Sequence, residues 1–201
     1  MGTVIETANF CRFDFVDPRP EQIVIDDIAH ALSNICRFGG HTRIHWSVAH
    51  HSLLVSRLLK SSGKSRVVQF AGLMHDSQEA YVGDIPTPLK RMLGASFSDI
   101  ENRVWGVIAS QFGIDPVLPP EVHEADYIAL LIERQVFYNG SPHPFDTGRP
   151  AIDLRPYLNE IQVIWQVMNQ QPLYFLDHGR TKHTFLNTFH ELHDSLRENR
   201  S

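Results

Sequence analysis

The sequence predicts an all-α fold: a single-domain helical bundle, with a short strand pair at its N-terminus. Three observations carry that prediction. Apolar residues return at helical spacing in one stretch after another from about residue 26 to residue 198. Pro, Gly and small polar residues separate those stretches and show no period-two alternation of their own. A chain of 201 residues suits one domain with a sizeable core, and it contains neither an internal repeat nor a low-complexity tract.

Taken in order, Thr7 to Val16 alternates imperfectly before the Asp17-Pro18-Arg19-Pro20 turn, which reads as the strand pair. Asp26 or Asp27 is the expected start of a helix running to about Cys36. Further helices are expected near 45–60, 66–82, 97–112 and 120–138. Within the second of these, Val67 to Ala80 carries no Pro and reads as uninterrupted. Pro119-Pro120 is a natural start for the helix that follows, and Glu121 and Glu124 suit its positive end. Asn139 to Pro150 reads as a long loop of the kind that covers a site. Two helices near 154–169 and 181–198 complete a single domain over 1–201, whose core spans about 24–138.

The most informative residues lie in the run Leu73-Met74-His75-Asp76-Ser77-Gln78-Glu79. Adjacent helical residues point about 100° apart, so His75 and Asp76 can both lean toward one ion in front of the helix. Glu79 follows Asp76 by three positions and shares that face. Burying these groups among Phe70, Leu73 and Met74 without a cation or partner would cost several kcal/mol. On the preceding helix, Val48, His51, Val55, Leu58 and Leu59 form the inward stripe, so His51 faces the core while His50 lies on a flank. In the 120–138 helix Asp126 aligns with Val122, Ala129 and Leu130, an acid on an apolar face. A lone inward histidine is more often a hydrogen-bonded core residue than a ligand, so the argument rests on the combination.

Imidazole and carboxylate donors without a thiolate suit one divalent transition metal, Co²⁺, Mn²⁺, Zn²⁺ or Fe²⁺, with Mg²⁺ as an additional candidate. Such an ion polarises a phosphoryl oxygen and lowers the pKa of a bound water, and a carboxylate within one helical turn can accept the water's proton. Glu79 is placed for that role.

The order His51, His75-Asp76, Asp126 resembles the HD-domain superfamily of metal-dependent phosphohydrolases. It is most similar there to the 5′-deoxynucleotidase branch and to small phage and prophage enzymes, among them dATP triphosphohydrolases. Glu79 and the run Gly83-Asp84-Ile85-Pro86-Thr87-Pro88-Leu89-Lys90 extend the match, as does Asp26 to His41 upstream. The resemblance is dense from about Val24 to Glu133 and thin after Tyr138. It implies metal ligation by His51, His75, Asp76 and Asp126, and catalytic roles for Glu79 and Asp84, although Asp84 also reads as a turn residue after Gly83. It further implies a phosphate contact from Arg37, whose planar guanidinium offers a bidentate fork. Phe38 stands where the deoxynucleotidases carry Trp, so a strict preference for deoxyribose is not implied. Trp46 and Lys90 are candidate substrate contacts, Trp46 together with His41, Arg43 and His45 at the base-binding end, although core packing explains Trp46 equally well and an exposed surface lysine is the commoner outcome for Lys90. The resemblance also implies a homo-oligomer.

The expected activity is hydrolysis of a (deoxy)nucleoside 5′-monophosphate to nucleoside and phosphate. A dNTP triphosphohydrolase is the alternative. A phosphodiesterase or signalling-nucleotide hydrolase and a non-catalytic metal-stabilised module stand further off. The 18 Lys and Arg against 23 Asp and Glu give a net charge of −5, which argues against nucleic acid as a partner. No apolar run reaches the roughly 18 residues of a membrane span, and no N-terminal signal pattern is present, so a cytoplasmic location is expected. Cys11 and Cys36 lack Cys-x-x-Cys spacing and imply no disulfide. His190 and His193 lie one turn apart on the last helix, but no carboxylate-rich segment supports a second metal site there.

Overall fold

The structure is a computed structural model that describes residues 2–143, 148–170 and 178–198. It is mostly helical, with a small two-stranded sheet, and compatible with a single domain.

Strands β1 (Val4–Glu6) and β2 (Arg12–Asp14) pair antiparallel with Ile5 opposite Phe13. The pair starts earlier than the alternation in Thr7–Val16 suggests, because residues 7–11 form the connecting turn. That turn is closed by the Thr7 amide on the Cys11 carbonyl. Phe13 is fully buried and its ring stacks 4.1 Å from Tyr81. Helix α1 (Ile25–Asn34) begins before Asp26, with Val24 as its N-cap. Asp27 does not cap the helix. Its carboxylate instead accepts the Thr7 hydroxyl at 2.7 Å and the Asn9 amide at 2.8 Å, fastening the β1–β2 turn to α1.

Between α1 and the next helix the chain doubles back. The Arg37 amide donates to the Trp46 carbonyl at 2.9 Å, and Phe38, Gly39 and Gly40 all take positive φ. Helix α2 (Val48–Ser61) is capped by Ser47, whose hydroxyl accepts from the His50 amide while the His50 ring accepts from the Ser47 amide. Its predicted stripe of Val48, His51, Val55, Leu58 and Leu59 is buried along its length. Helix α3 (Arg66–Met74) packs along α2 through Gly72. A methyl group added to Gly72 would run into Leu59, so the missing side chain sets the approach of the two helices.

The uninterrupted helix expected through Ala80 is broken. Residues 75–78 form a turn, and α4 (Glu79–Val82) resumes after it. The amides of Ser77, Glu79 and Ala80 reach back three residues rather than four, so the chain is wound tighter than an α-helix. His75 contributes to the break by donating Nδ1–H to the Gly72 carbonyl at 2.8 Å. Its partner Asp76 therefore sits in a turn at the helix end.

Helix α5 (Thr87–Leu93) occupies a stretch where no helix was expected. It starts after Pro86 and carries Pro88 in its first turn, where a missing amide hydrogen costs nothing. Helices α6 (Ala95–Phe112) and α7 (Pro120–Phe137) follow, α7 starting at the anticipated proline. The loop after α7 is described on both sides of residues 144–147, which lie outside the described residues. Helix α8 (Leu158–Gln170) begins four residues later than predicted because Pro156 initiates a 3₁₀ turn, and α9 (His178–Glu198) begins three residues earlier.

Two apolar clusters form the interior. One joins α1, α3, α6 and α9 with Phe13, and the other joins α2, α3, α7 and α8. Helices α2 and α3 contribute to both. The polar residues of the site emerge where α2, the α3–α4 turn and α7 converge. Among the described residues, no helix is long and apolar enough to cross a membrane. Cys11 and Cys36 are free thiols.

Candidate metal centre

His51 comes from the first turn of α2, His75 and Asp76 from the turn after α3, and Asp126 from the second turn of α7. His51 Nε2 lies 3.0 Å from Asp126 Oδ1 and 3.7 Å from Asp76 Oδ2. His75 Nε2 lies 3.2 Å from Asp76 Oδ2 and 3.8 Å from Asp126 Oδ1. Donors about 2.0–2.2 Å from a common ion stand roughly 3–3.5 Å apart, so this spacing suits a shared cation. Donor atoms of His51, His75 and Asp126 all lie within 4.8 Å of one another, and this group could hold a metal ion. Asp76 borders both imidazoles from one side.

Both histidines are held with Nε2 toward the cluster. His51 Nδ1 donates to Glu133 Oε1 at 2.9 Å, and His75 Nδ1 donates to the Gly72 carbonyl. His75 Nε2 is buried and has no hydrogen-bond partner, which fits it to ligate an ion. The charges agree. Burial alone would raise the pKa of Asp76, but His75 and His51 hold it at about 2. Burial would raise Asp126 too, but the His51 imidazole, hydrogen-bonded at 3.0 Å, and the neighbouring His75 hold it well below the usual carboxylate range. Burial and Arg37 push His51 downward, yet Glu133 and Asp126 outweigh them and its pKa rises. His75 is driven well up against its burial by Asp76 and Asp126. Both imidazoles are thus drawn toward the charged form by the carboxylates beside them.

The carboxylates of Asp76 and Asp126 open into a cavity of about 550 Å³, within the range of small-molecule sites. Glu79 lines it, nearly fully buried. Its pKa is pushed well up by burial and by Asp76 and Asp84, against the pull of Lys90 and Arg37. Glu79 Oε2 has no hydrogen-bond partner. Asp84 follows Gly83, whose φ of 81° turns the chain out of α4, and it too lines the cavity with a pKa raised by burial. Lys90 is not a free surface lysine. Its Nζ lies 3.4 Å from Glu79 and 2.7 Å from Glu101 on α6. Phe38 also lines the cavity, braced edge-on by Phe137 and Tyr138. Tyr127 and Arg149 stand at the rim, with the guanidinium 3.8 Å above the ring, so the described end of the 139–150 loop does reach the site.

Arg37 reaches the cavity from the 37–46 loop, but it is buried rather than placed at the mouth, with 11% of its side chain exposed. Its Nε and one terminal nitrogen bind Glu133 Oε2 at 3.1 and 3.0 Å. The other terminal nitrogen lies 3.8 Å from Asp76. Half of the fork expected for phosphate is thus already engaged. Trp46 lies behind the site instead of lining it. Its indole donates to Glu133 Oε1 at 2.7 Å and its ring stacks on His50, which burial holds neutral with a pKa near 3. His45 packs against His178, and the Tyr138 hydroxyl donates to the His41 carbonyl, so neither histidine joins the cavity. His193 stacks on Phe189 in the α9 core, and no second donor cluster occurs among the described residues.

Glu133 was not anticipated. It is fully buried and accepts from Arg37, Trp46 and His51 together. The available signal was its spacing, seven residues after Asp126 and so on the same face of α7. Glu101 was also missed, because nothing local ties it to Lys90.

The fold and site together define a mostly helical protein with a candidate His-His-Asp metal centre at the floor of a cavity. No family model matches the chain. It is 40% identical over 152 residues to the uncharacterized protein YfdR of Escherichia coli, covering 75% of this chain and 82% of that protein. It is 32% identical over 163 residues to an uncharacterized protein of Rhodobacter capsulatus, covering 72% and 83%. The chain belongs to the family of these proteins.

Proposed function

We propose that this chain is an HD-domain phosphohydrolase that uses one divalent transition metal to hydrolyse (deoxy)nucleoside 5′-monophosphates to nucleoside and phosphate. The observation that carries the reading is that Asp76 and Asp126, which border the His51 and His75 imidazoles, line one cavity with Glu79, a buried residue with an unpartnered carboxylate oxygen. The ion, when bound, supplies Lewis acidity to the phosphoryl group and to the attacking water. Five carboxylates around the site, from Asp76, Glu79, Asp84, Asp126 and Glu133, face the cations Arg37 and Lys90, and that imbalance favours a dication over a structural role without one.

The residues of the chain then divide the work. Glu79, its pKa raised by burial, accepts the proton of the attacking water as the new P–O bond forms. The bond from phosphorus to the 5′-oxygen breaks, and the leaving oxygen takes a proton from the acid form of Glu79 or Asp84. The cavity-facing nitrogen of Arg37 binds a phosphoryl oxygen, while Glu133 holds the rest of the guanidinium still. Lys90 steadies Glu79 from the side of Glu101. Phe38 meets the sugar. The substrate is a small nucleotide rather than a nucleic acid, and the working form is a homo-oligomer.

The test is a screen of metal-loaded protein against nucleoside mono-, di- and triphosphates, with phosphate, pyrophosphate and tripolyphosphate assayed separately. Release of phosphate from monophosphates is expected. Tripolyphosphate from dNTPs would replace the substrate with a triphosphate, and no product from any of them would overturn the enzymatic reading.

A further inference from the structure

Glu133 stands outside the ligand set and outside the cavity lining, yet three side chains converge on its carboxylate in the interior. It is 0% exposed. Oε1 accepts the Trp46 indole at 2.7 Å and His51 Nδ1 at 2.9 Å, and Oε2 accepts the Arg37 Nε and terminal nitrogen at 3.1 and 3.0 Å. We propose that Glu133 is the positioning residue of the metal centre: it fixes the His51 ring with Nε2 toward the ion and clamps Arg37 so that only one nitrogen faces the cavity.

The geometry separates this role from ordinary core packing. His75 has its ring set by a backbone carbonyl, which comes with the turn itself. His51 lies in the first turn of α2, where the carbonyls behind it are already taken by the helix, so its Nδ1 needs a side chain from elsewhere. Glu133 lies two turns beyond Asp126 on α7, so one helix carries both a ligand and the group that aims a second ligand. Any shift of α7 moves the two together. Loop 37–46 is tied to the same carboxylate twice, through Arg37 and Trp46. The metal centre and the phosphate-facing cation therefore share a single anchor. A packing residue would need one partner to satisfy it, whereas three donors from two separate segments converge here.

The inference rests on the metal-centre reading, and its test therefore reads metal uptake rather than turnover. Co²⁺ is titrated into the full chain by absorption and calorimetry. Glu133→Leu, which offers the His51 ring no acceptor, is expected to weaken Co²⁺ binding about 10–100-fold while the helical circular dichroism is kept. That variant also leaves a buried guanidinium unpaired and adds net positive charge near the ion. Arg37→Met/Glu133→Leu removes both effects, since taking out both members of a buried pair tends to restore stability. The positioning role predicts that Co²⁺ affinity stays low in the double variant although its melting temperature rises above that of the single variant. Affinity that returns together with stability, or parental affinity in Glu133→Leu, would overturn it. A single variant that does not fold leaves the double variant to decide. A parent that takes up no Co²⁺ sinks the metal centre and this role together. A parent that binds Co²⁺ but hydrolyses no nucleotide removes only the proposed activity.

Discussion

Asp76 lies near both imidazoles and 3.8 Å from Arg37, so it links the donor cluster to the buried cation. Asp76→Ala is therefore expected to abolish bound metal and activity while most helical content survives. Equal metal by elemental analysis in variant and parent would refute its ligand role. Glu79 makes a different prediction, because it lines the cavity with an unpartnered oxygen and stands outside the donor cluster. Glu79→Gln should keep the metal and lose about 10²–10⁴ in kcat. Unchanged turnover at saturating metal and substrate would move the proton to Asp84. Arg37→Lys keeps the charge but cannot hold Glu133 with two nitrogens while a third faces the cavity. It should lower kcat/KM on every nucleotide by a similar factor. Phe38→Ala should chiefly alter the ratio of ribo- to deoxyribonucleotide turnover, and an equal loss on both sugars would remove its sugar role.

At the scale of elements, the decisive features are the close approach of α2 and α3 and the break after α3. Gly72 serves both, since it has no side chain to strike Leu59 and its carbonyl anchors His75. Ala is the better helix former, so propensity alone would make Gly72→Ala stabilising by roughly 1 kcal/mol. Overpacking between buried Leu59 and Val55 works the other way and should win, giving a net loss of about 1–3 kcal/mol in urea unfolding. A stability gain would show that Leu59 can move aside. The helix periods of α2, α6 and α7 were legible because each buries one apolar stripe against a neighbour. The turn at 75–78 was not, because it depends on a side chain of the same segment taking a helix carbonyl. Helix α5 was hidden by its own prolines, which punctuate a sequence equally well before a loop and in a first turn.

For the whole molecule, the metal centre joins α2, α3 and α7, and the first two of these helices belong to both apolar clusters. An ion bound there stabilises only the folded chain. At a free concentration 100 times its Kd it adds about 2.7 kcal/mol. For a chain of this size that is a rise of roughly 5–10 °C in melting temperature. Differential scanning fluorimetry with Co²⁺ or Mn²⁺ against a chelator should show it, and Asp76→Ala should not respond. A melting temperature indifferent to every divalent ion would argue against the centre.

By itself the sequence determined the helical class and the inward placement of His51, His75 and Asp126. Each of these follows from local periodicity, which a single segment displays whatever it packs against. It also marked Glu79 by its place one turn after the His75-Asp76 pair, and Asp84 through the resemblance that Gly83-Asp84-Ile85-Pro86 carries. Only the tertiary structure decided that Glu133 anchors His51, that Arg37 is half committed to Glu133, and that Lys90 is shared with Glu101. It alone turned Trp46 away from the cavity. Those contacts join residues 11 to 96 positions apart, and what decides them is the cost of leaving a buried charge or donor unpaired. That cost arises only once the helices have packed and water has left, so no pattern within one segment records it.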